Sequence, residues 1–424
     1  MSALNRARDA RDARDWDRRS VLRAVGGAAA LGGLAACGSN TGRAGGDGKS
    51  IKQMYHAYGE QGTQQAAKKF ADAYSKAKVT IEWVPGEYES KLATSLLGSG
   101  RPDVFEYHPD LQLVRSKQIV PLDDIIADVK DDFLPEDLTA NSVDGKIYGI
   151  RMIDDPQFFF YRKSLFEDAG VKPPTTFDEL IDAAHKLTKG KVKGLYIGQN
   201  LKTISKPLVW SNGTHYLTED HKIAYHTDEL EETLTKAREL YKSKSLLLGA
   251  PTETWDPTSF VQGLCAIQWC GIWAIPAIQK AFGDDFGIFP FPKSGKKGRP
   301  VVYNGGWSTY VSAKAKDVDG AKDFVKWLWI EQKKYQQEWA LDYGFHIPAR
   351  KSIAAGADKL KGGVAAEAVE LFNSHGIFDD PYWTEGMFNI VLDAVVNSVR
   401  DSKNPGAELD KADKKIEREL KKLG

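Results

Sequence analysis

The stretch GKIYGIRMIDDPQFFFYRKSLFEDAGVKPPTTFDEL, residues 145–180, starts an α/β unit midway along a chain that has already built one. The new unit begins near Phe158. Thr176-Phe177-Asp178-Glu179 is a capping box, in which the threonine hydroxyl and the glutamate carboxylate satisfy the first free amides of a helix. That helix is expected to run to about Lys189 and stop at Gly190. Beyond it, VKGLYIG (192–198) and LCAIQWC (264–270) are continuous apolar runs of the kind buried on both sides of a sheet.

Upstream, Ile51–Tyr58 predicts a strand and Gly62–Ala77 a helix with Ala66, Phe70, Ala73 and Tyr74 on one face. Val79–Val84 alternates apolar and polar residues as a half-buried strand does. A helix over Tyr88–Leu97 and a strand from Asp103 (DVFEYH) complete a β-α-β-α-β opening, which implies a parallel sheet flanked by helices. Ligands of such sheets bind at the carboxyl ends of the strands. That rule points at Tyr58-Gly59-Glu60 and Glu106-Tyr107-His108. Downstream, Asp319–Trp329 carries one apolar stripe at positions 321, 324, 325 and 328. The last helix is capped by Asn404, has Pro405 in its first turn, and lines Leu409, Ala412, Ile416, Leu420 and Leu423 on one side.

The amino terminus is of another kind. RRSVLRAVGGAAALGGLAAC, residues 18–37, has basic residues, then a short small-residue apolar run, then a lone cysteine. The run is too short to span a bilayer, which needs about 20 apolar residues. It has the order of a signal peptide. Arg18-Arg19-Ser20-Val21-Leu22-Arg23 resembles a twin-arginine export motif, and Leu34-Ala35-Ala36-Cys37 resembles a lipobox whose cysteine is lipidated. Residues 1–37 are therefore expected to be a leader ending at the lipid-attachment Cys37, and residues 38–50, rich in glycine, a flexible tether.

The remaining roughly 375 residues are enough for two domains. The whole chain has 58 basic and 58 acidic residues; residues 1–36 hold seven and four of them, which leaves 51 against 54. A net charge near −3 argues against a nucleic-acid partner, which requires a strong positive field. Cys265 and Cys270 lie five apart in an apolar strand and so face opposite ways. Two buried free thiols are preferred, with a disulfide in an oxidising exterior as the alternative. No C-x-x-C or histidine spacing suggests a metal.

Catalytic signatures are lacking. GDGKS at 46–50 has Arg43 where a P-loop needs its first glycine, and no strand precedes it. Carboxylate pairs such as Asp123-Asp124, Asp131-Asp132 and Asp154-Asp155 leave a glycoside-active enzyme unsupported, because such chemistry needs two carboxyls at a set separation in one cleft. The aromatic residues say more. Sugars offer apolar C–H faces and a rim of hydroxyls, so their sites pair stacked rings with polar side chains. Trp210, Trp255, Trp273, Trp307 and Trp383 all sit beside glycine or turn residues where an element opens into a loop, whereas Trp327 and Trp329 lie within a helix. Together the five suggest a stacking cleft, with Glu60, Asn212 and Asn304 as hydroxyl partners.

Several segments resemble the family 1 extracellular solute-binding proteins of bacterial ABC importers, which include maltose- and oligosaccharide-binding lipoproteins. They are RPDVFEY (101–107) with LVRSKQIVPLDDII (113–126), the 145–180 stretch, FVQGLCAIQWCGIW (260–273), YNGGWSTYVSAKAKDVDGAKDFVKWL (303–328) and YGFHIPARKS (343–352). The likeness covers nearly everything from residue 51 onward. It implies a two-lobed α/β periplasmic-binding-protein-like fold of the class II type, each lobe a mixed sheet flanked by helices, with hinge crossings near Asp155, Gly306 and His346. The lobes it implies are 51–156 with 307–346 and 157–306 with 347–424. It places Tyr107, His108 and Asp110 on the first-lobe loop that meets ligand, Trp273 on the second-lobe tryptophan, and Asp154 and Asp155 where relatives often carry an acidic sugar-binding residue. The implied role is non-enzymatic: a monomer without cofactor or metal, lipid-anchored outside the cell membrane, that captures a neutral di- or oligosaccharide and delivers it to a permease. A charged solute such as a polyamine is the alternative ligand, and a secreted glycoside-active enzyme the alternative of another class.

Overall fold

The computed structural model describes residues 49–423. The expected leader, its twin-arginine stretch, Cys37 and nearly all of the tether lie outside the described residues; Ser50, placed in the tether, already begins the first strand. Two sheets organise the chain. The first has the order Lys78–Val84, Ser50–His56, Val104–Tyr107, Ser308–Val311, Ile150–Arg151. Its first three strands are parallel, with Ile51 opposite Val79 and Met54 opposite Phe105, and the returning strand Ser308–Val311 runs antiparallel to both neighbours. The second sheet has the order Gly376–Ile377, Val302–Asn304, Pro156–Tyr161, Cys265–Gly271, Lys193–Tyr196, and Gly287–Phe289 pairs with Pro156–Tyr161 as well.

Pro156–Tyr161 is the central strand of the second lobe, and Phe158, Phe159 and Phe160 are fully buried. Removing each ring from water stabilises by roughly 1.5–3 kcal/mol. Strand Cys265–Gly271 is buried along its whole length, and its two cysteines are free thiols. The capping box forms: Thr176 Oγ1 accepts from Glu179 N at 3.2 Å, and Glu179 Oε2 accepts from Thr176 N at 3.2 Å. The helix it starts runs over Phe177–Leu187. The final helix Pro405–Leu423 buries Leu409, Ala412 and Ile416 against helices Glu385–Val399 and Asp228–Lys242, and Asn404 Oδ1 accepts from Ala407 N at 2.9 Å.

Some expected bounds shift. The first strand ends at His56, and the helix expected over 62–77 runs only Thr63–Ala73. The helix near 319–329 is α-helical over Val318–Lys326 and continues as a π-helical turn, Trp327–Glu331. The chain also enters the second lobe later than residue 347. Helix Lys351–Ala354 stays on the first lobe, because Asp132 accepts from Ser352 N at 2.7 Å and pairs with Arg350 at 2.7 Å. Packing on the second sheet begins with helix Gly363–His375.

Three crossings join the lobes. The first, Ile153–Asp154, pairs antiparallel with the start of the third, Ile347–Pro348, which reaches the second sheet only at helix Gly363–His375, so that Asp154 lies opposite Ile347. The second, around Gly306, is pressed against the first: a Cβ on Gly306 would lie 2.1 Å from Ile153 O. Gly306→Ala must push two crossings apart and is expected to cost about 1–3 kcal/mol in chemical denaturation. Among the described residues no helix is long and apolar enough to cross a membrane.

Candidate ligand-binding site

The first-lobe wall is built at the carboxyl ends of two parallel strands, Ser50–His56 and Val104–Tyr107. Their register brings Glu106 beside His56. The Glu106 side chain is fully buried, and its carboxylate accepts from His56 N at 2.6 Å, His56 Nδ1 at 2.5 Å and Tyr58 OH at 2.7 Å. A buried carboxylate with three donors is satisfied, and it fixes both side chains that it holds. The His56 ring lies 3.8 Å from Tyr58 and 4.2 Å from Trp307, which in turn lies 4.3 Å from His108. Tyr58, His56, Trp307 and His108 thus pack in succession. Burial pushes the His108 imidazole down to about 4 against the opposing pull of Asp379, so the ring is neutral at pH 7. Asp110 caps the short helix Leu111–Arg115 through Gln112 N at 2.7 Å, and burial raises its carboxyl to about 6.

The second-lobe wall faces it with Lys206, Tyr303 and Asp379. Lys206 Nζ donates to Asp379 at 2.6 Å and to Tyr303 OH at 3.1 Å, and Tyr303 OH donates to Asp379 at 2.9 Å. Burial works against the ammonium charge, but the Asp379 carboxylate outweighs it and holds the lysine above its ordinary value. Asp379 and Lys206 also act on His108 across the gap between lobes. In the same sheet, beyond the carboxyl end of strand Cys265–Gly271, Trp255 and Trp273 supply aromatic surface. Trp273 Nε1 donates to Trp255 O at 2.8 Å, and its ring lies so close over Gly271 that a Cβ there would be 1.8 Å from it. Trp255 is 58% exposed, which leaves its indole face open to solvent. The lobes touch along one side: Leu111 N donates to Pro381 O at 2.8 Å, Tyr382 OH to Asp144 at 3.1 Å, and Arg115 Nε to Leu423 O at 3.0 Å.

Of the residues expected at a site, Tyr107, His108, Asp110 and Trp307 lie on the first-lobe wall, while Trp255 and Trp273 are bonded to each other beyond the carboxyl end of strand Cys265–Gly271. It sends others elsewhere. Trp210 is buried in the second-lobe core against Tyr216 and Tyr303. Trp383 is buried too, stacked on Tyr216 at 4.3 Å and 10°. Asn212 bonds back to Leu208 O at 2.8 Å and accepts from Thr233 at 2.9 Å. These three are packing residues, a correction to the expectation from loop context.

Asp154, Asp155, Asn304 and Glu60 gather at the hinge. Asn304 Nδ2 donates to Asp154 at 2.6 Å, and Asn304 Oδ1 accepts from Asp155 N at 2.9 Å and from Gly306 N at 3.3 Å. His346, on the third crossing, contacts Asp155 at 2.5 Å through Nδ1 and Glu60 at 3.0 Å through Nε2. Burial opposes its charge, but Asp155 and Glu60 outweigh that and raise the imidazole to about 10, so it stays protonated at neutral pH. Asp154, Asp155 and Asn304 are buried and mutually bonded, so they tie crossings together and do not meet a ligand, a further correction. His56, Lys206, Tyr303, Asp379 and His346 were not among the candidates, whereas the strand-end rule points at Tyr58 and Glu106. The strand-end rule passes next to His56 and through Glu106; no motif marks Lys206 or Asp379, which meet across 173 positions.

The family model described as bacterial extracellular solute-binding protein matches residues 65–368. The chain belongs to that family. It is 28% identical over 381 residues to the diacetylchitobiose binding protein DasA of Streptomyces coelicolor, covering 83% of this chain and 86% of that one. It is 25% identical over 293 residues to the arabinooligosaccharide-binding protein of Bacillus subtilis, covering 65% and 66%. Among solved structures, the GacH receptor of Streptomyces glaucescens, studied with acarbose, superposes with a TM-score of 0.72 at 22% identity over 88% of this chain and 99% of that one. An ABC transporter solute-binding protein from Thermotoga lettingae bound to α-D-tagatose gives 0.74 at 17% identity over 89% and 100%. These likenesses show the two-lobed fold. The chain thus shares its fold with these solved structures, and its family is one of solute-binding proteins.

Proposed function

We propose that this solute-binding protein captures a neutral di- or oligosaccharide between its lobes and delivers it to the permease of an ABC importer. The observation that carries this reading is the pairing of two walls: exposed Trp255 beside Trp273 on one lobe, and hydrogen-bonding rings preset by buried Glu106 on the other. Indole faces suit sugar C–H surfaces, and fixed imidazole and phenol groups suit hydroxyls. The relatives named for diacetylchitobiose and arabino-oligosaccharides support the same ligand class. Tyr107, His108, Asp110, Trp255, Trp273 and Trp307 are the contacts proposed from sequence, joined by His56, Lys206, Tyr303 and Asp379; Glu60 is paired with His346 at the hinge. Closure follows because a ligand touching both walls favours the closed population. A lipid on Cys37 would hold the protein at the outer membrane face and raise its effective concentration at the transporter.

A charged ligand such as a polyamine is the second reading, favoured by the Asp110 and Glu385 carboxyls beside Tyr107. Calorimetry with diacetylchitobiose, arabino-, manno- and malto-oligosaccharides, and spermidine separates the two, and product analysis on the same samples tests for turnover. Saturable binding of a neutral sugar without turnover is expected. Binding of spermidine alone, or cleavage of a glycoside, overturns the reading.

A further inference from the structure

Beneath the ligand walls, the hinge holds more buried acid than base. Asp137, from helix Pro135–Ala140, and Asp154, on the first crossing, are each 1% exposed. Arg151 stands between them, its Nε 2.7 Å from Asp137 Oδ1 and 3.6 Å from Asp154 Oδ1, while one terminal nitrogen donates to Gly306 O at 2.5 Å. Asp154 Oδ1 also accepts from Asn304, whose own Oδ1 is held by Asp155 N and Gly306 N. That leaves Asp137 Oδ2 and Asp154 Oδ2 buried with no donor. The two carboxyl groups meet on the same guanidinium nitrogen and act directly on each other.

We propose that Asp137 and Asp154 share one proton across these two oxygens, as a carboxylic acid–carboxylate pair locked inside the hinge. An unpartnered buried carboxylate oxygen is costly, and two facing each other as anions are costlier still. One proton removes both penalties: it gives each oxygen a partner, and it leaves one negative charge against one arginine. Burial raises both carboxyls above their ordinary value; the Asp137 charge raises Asp154 further, and Arg151 opposes both shifts. Glu136 adds to the raising of Asp137. The other charges at the hinge, His346 with Asp155 and Glu60, form their own ion-paired set on the third crossing.

The pair sits at a joint. Asp154 is bonded to the second crossing through Asn304 and paired with the third through Ile347, so its charge state bears on the contact between lobes. The sign follows from linkage. An unfolded aspartate is ionised at neutral pH, so folding takes up a proton here. The contribution is present at low pH and fades as pH rises through the pair's folded value.

Infrared spectroscopy of the intact protein tests this. At about pH 8, where ordinary aspartates are ionised and Asp110, raised to about 6, is ionised too, wild type is expected to show a protonated-carboxyl band that both Asp137→Asn and Asp154→Asn remove. Each asparagine replaces the shared proton by an amide donor, so each single variant should melt about 2 °C or more above wild type at about pH 9. The double variant, which leaves Arg151 without an anion, should melt below both. Absence of the band in wild type, its persistence in both single variants, or lower melting of both single variants at about pH 9 overturns the proposal. If neither variant folds, the wild-type band decides alone.

Discussion

Trp273→Ala is expected to weaken binding of the preferred sugar by about 2 kcal/mol or more, roughly thirtyfold in Kd, with the fold retained. The half-buried indole lies over Gly271 and holds the Trp255 loop through its Nε1. Its removal takes away one stacking surface and the support of a second. Trp255→Ala separates the two effects: at 58% exposure that side chain contributes little to packing, so affinity should fall while the melting temperature stays within a degree or so. Calorimetry on the sugar that binds wild type most tightly, with a thermal melt of each variant, checks both. Unchanged affinity in Trp273→Ala would remove the second-lobe platform from the account.

Arg151→Met should be the most damaging single change to stability, at about 3–5 kcal/mol, because truncating one partner of a buried charge set strands the others. Arg151 is 4% exposed, bonds Asp137, and reaches Gly306 O on the second crossing. Its loss leaves two buried carboxyls without a cation and frees one inter-crossing bond. Chemical denaturation should show the loss. Ligand affinity should fall with it, since closure depends on crossings held in register. A variant as stable as wild type would mean that the hinge is held by backbone pairing alone.

Much of the architecture could be read from residue patterns because it rests on local chemistry. The Thr176–Glu179 box, the Asn404–Pro405 start and the strand expected over Val79–Val84 rest on local signals, and each forms. Side-chain direction at an element's end is not local. Trp210 and Trp383 have the same turn-residue neighbours as Trp255, yet they point into the second-lobe core, where Tyr216 supplies a ring for each. A glycine beside a tryptophan shows that the chain leaves an element, not which way the indole turns. The polar candidates fail for a related reason. Asp154, Asp155 and Asn304 are the right types for hydroxyl contacts, but crossings that approach closely need those groups for one another. His56 and Glu106 meet through the register of two parallel strands 50 positions apart, a spacing that carries no sequence signature.

Contact of one ligand with both walls is what drives closure. Spin labels placed on exposed Leu97 in the first lobe and exposed Leu248 in the second allow pulsed electron resonance to read the inter-lobe distance with and without the bound sugar. The distribution is expected to shorten and narrow at saturation in wild type, and to stay broad at the same sugar concentration in Trp273→Ala. The same distribution with and without a sugar that calorimetry shows to be bound would contradict it.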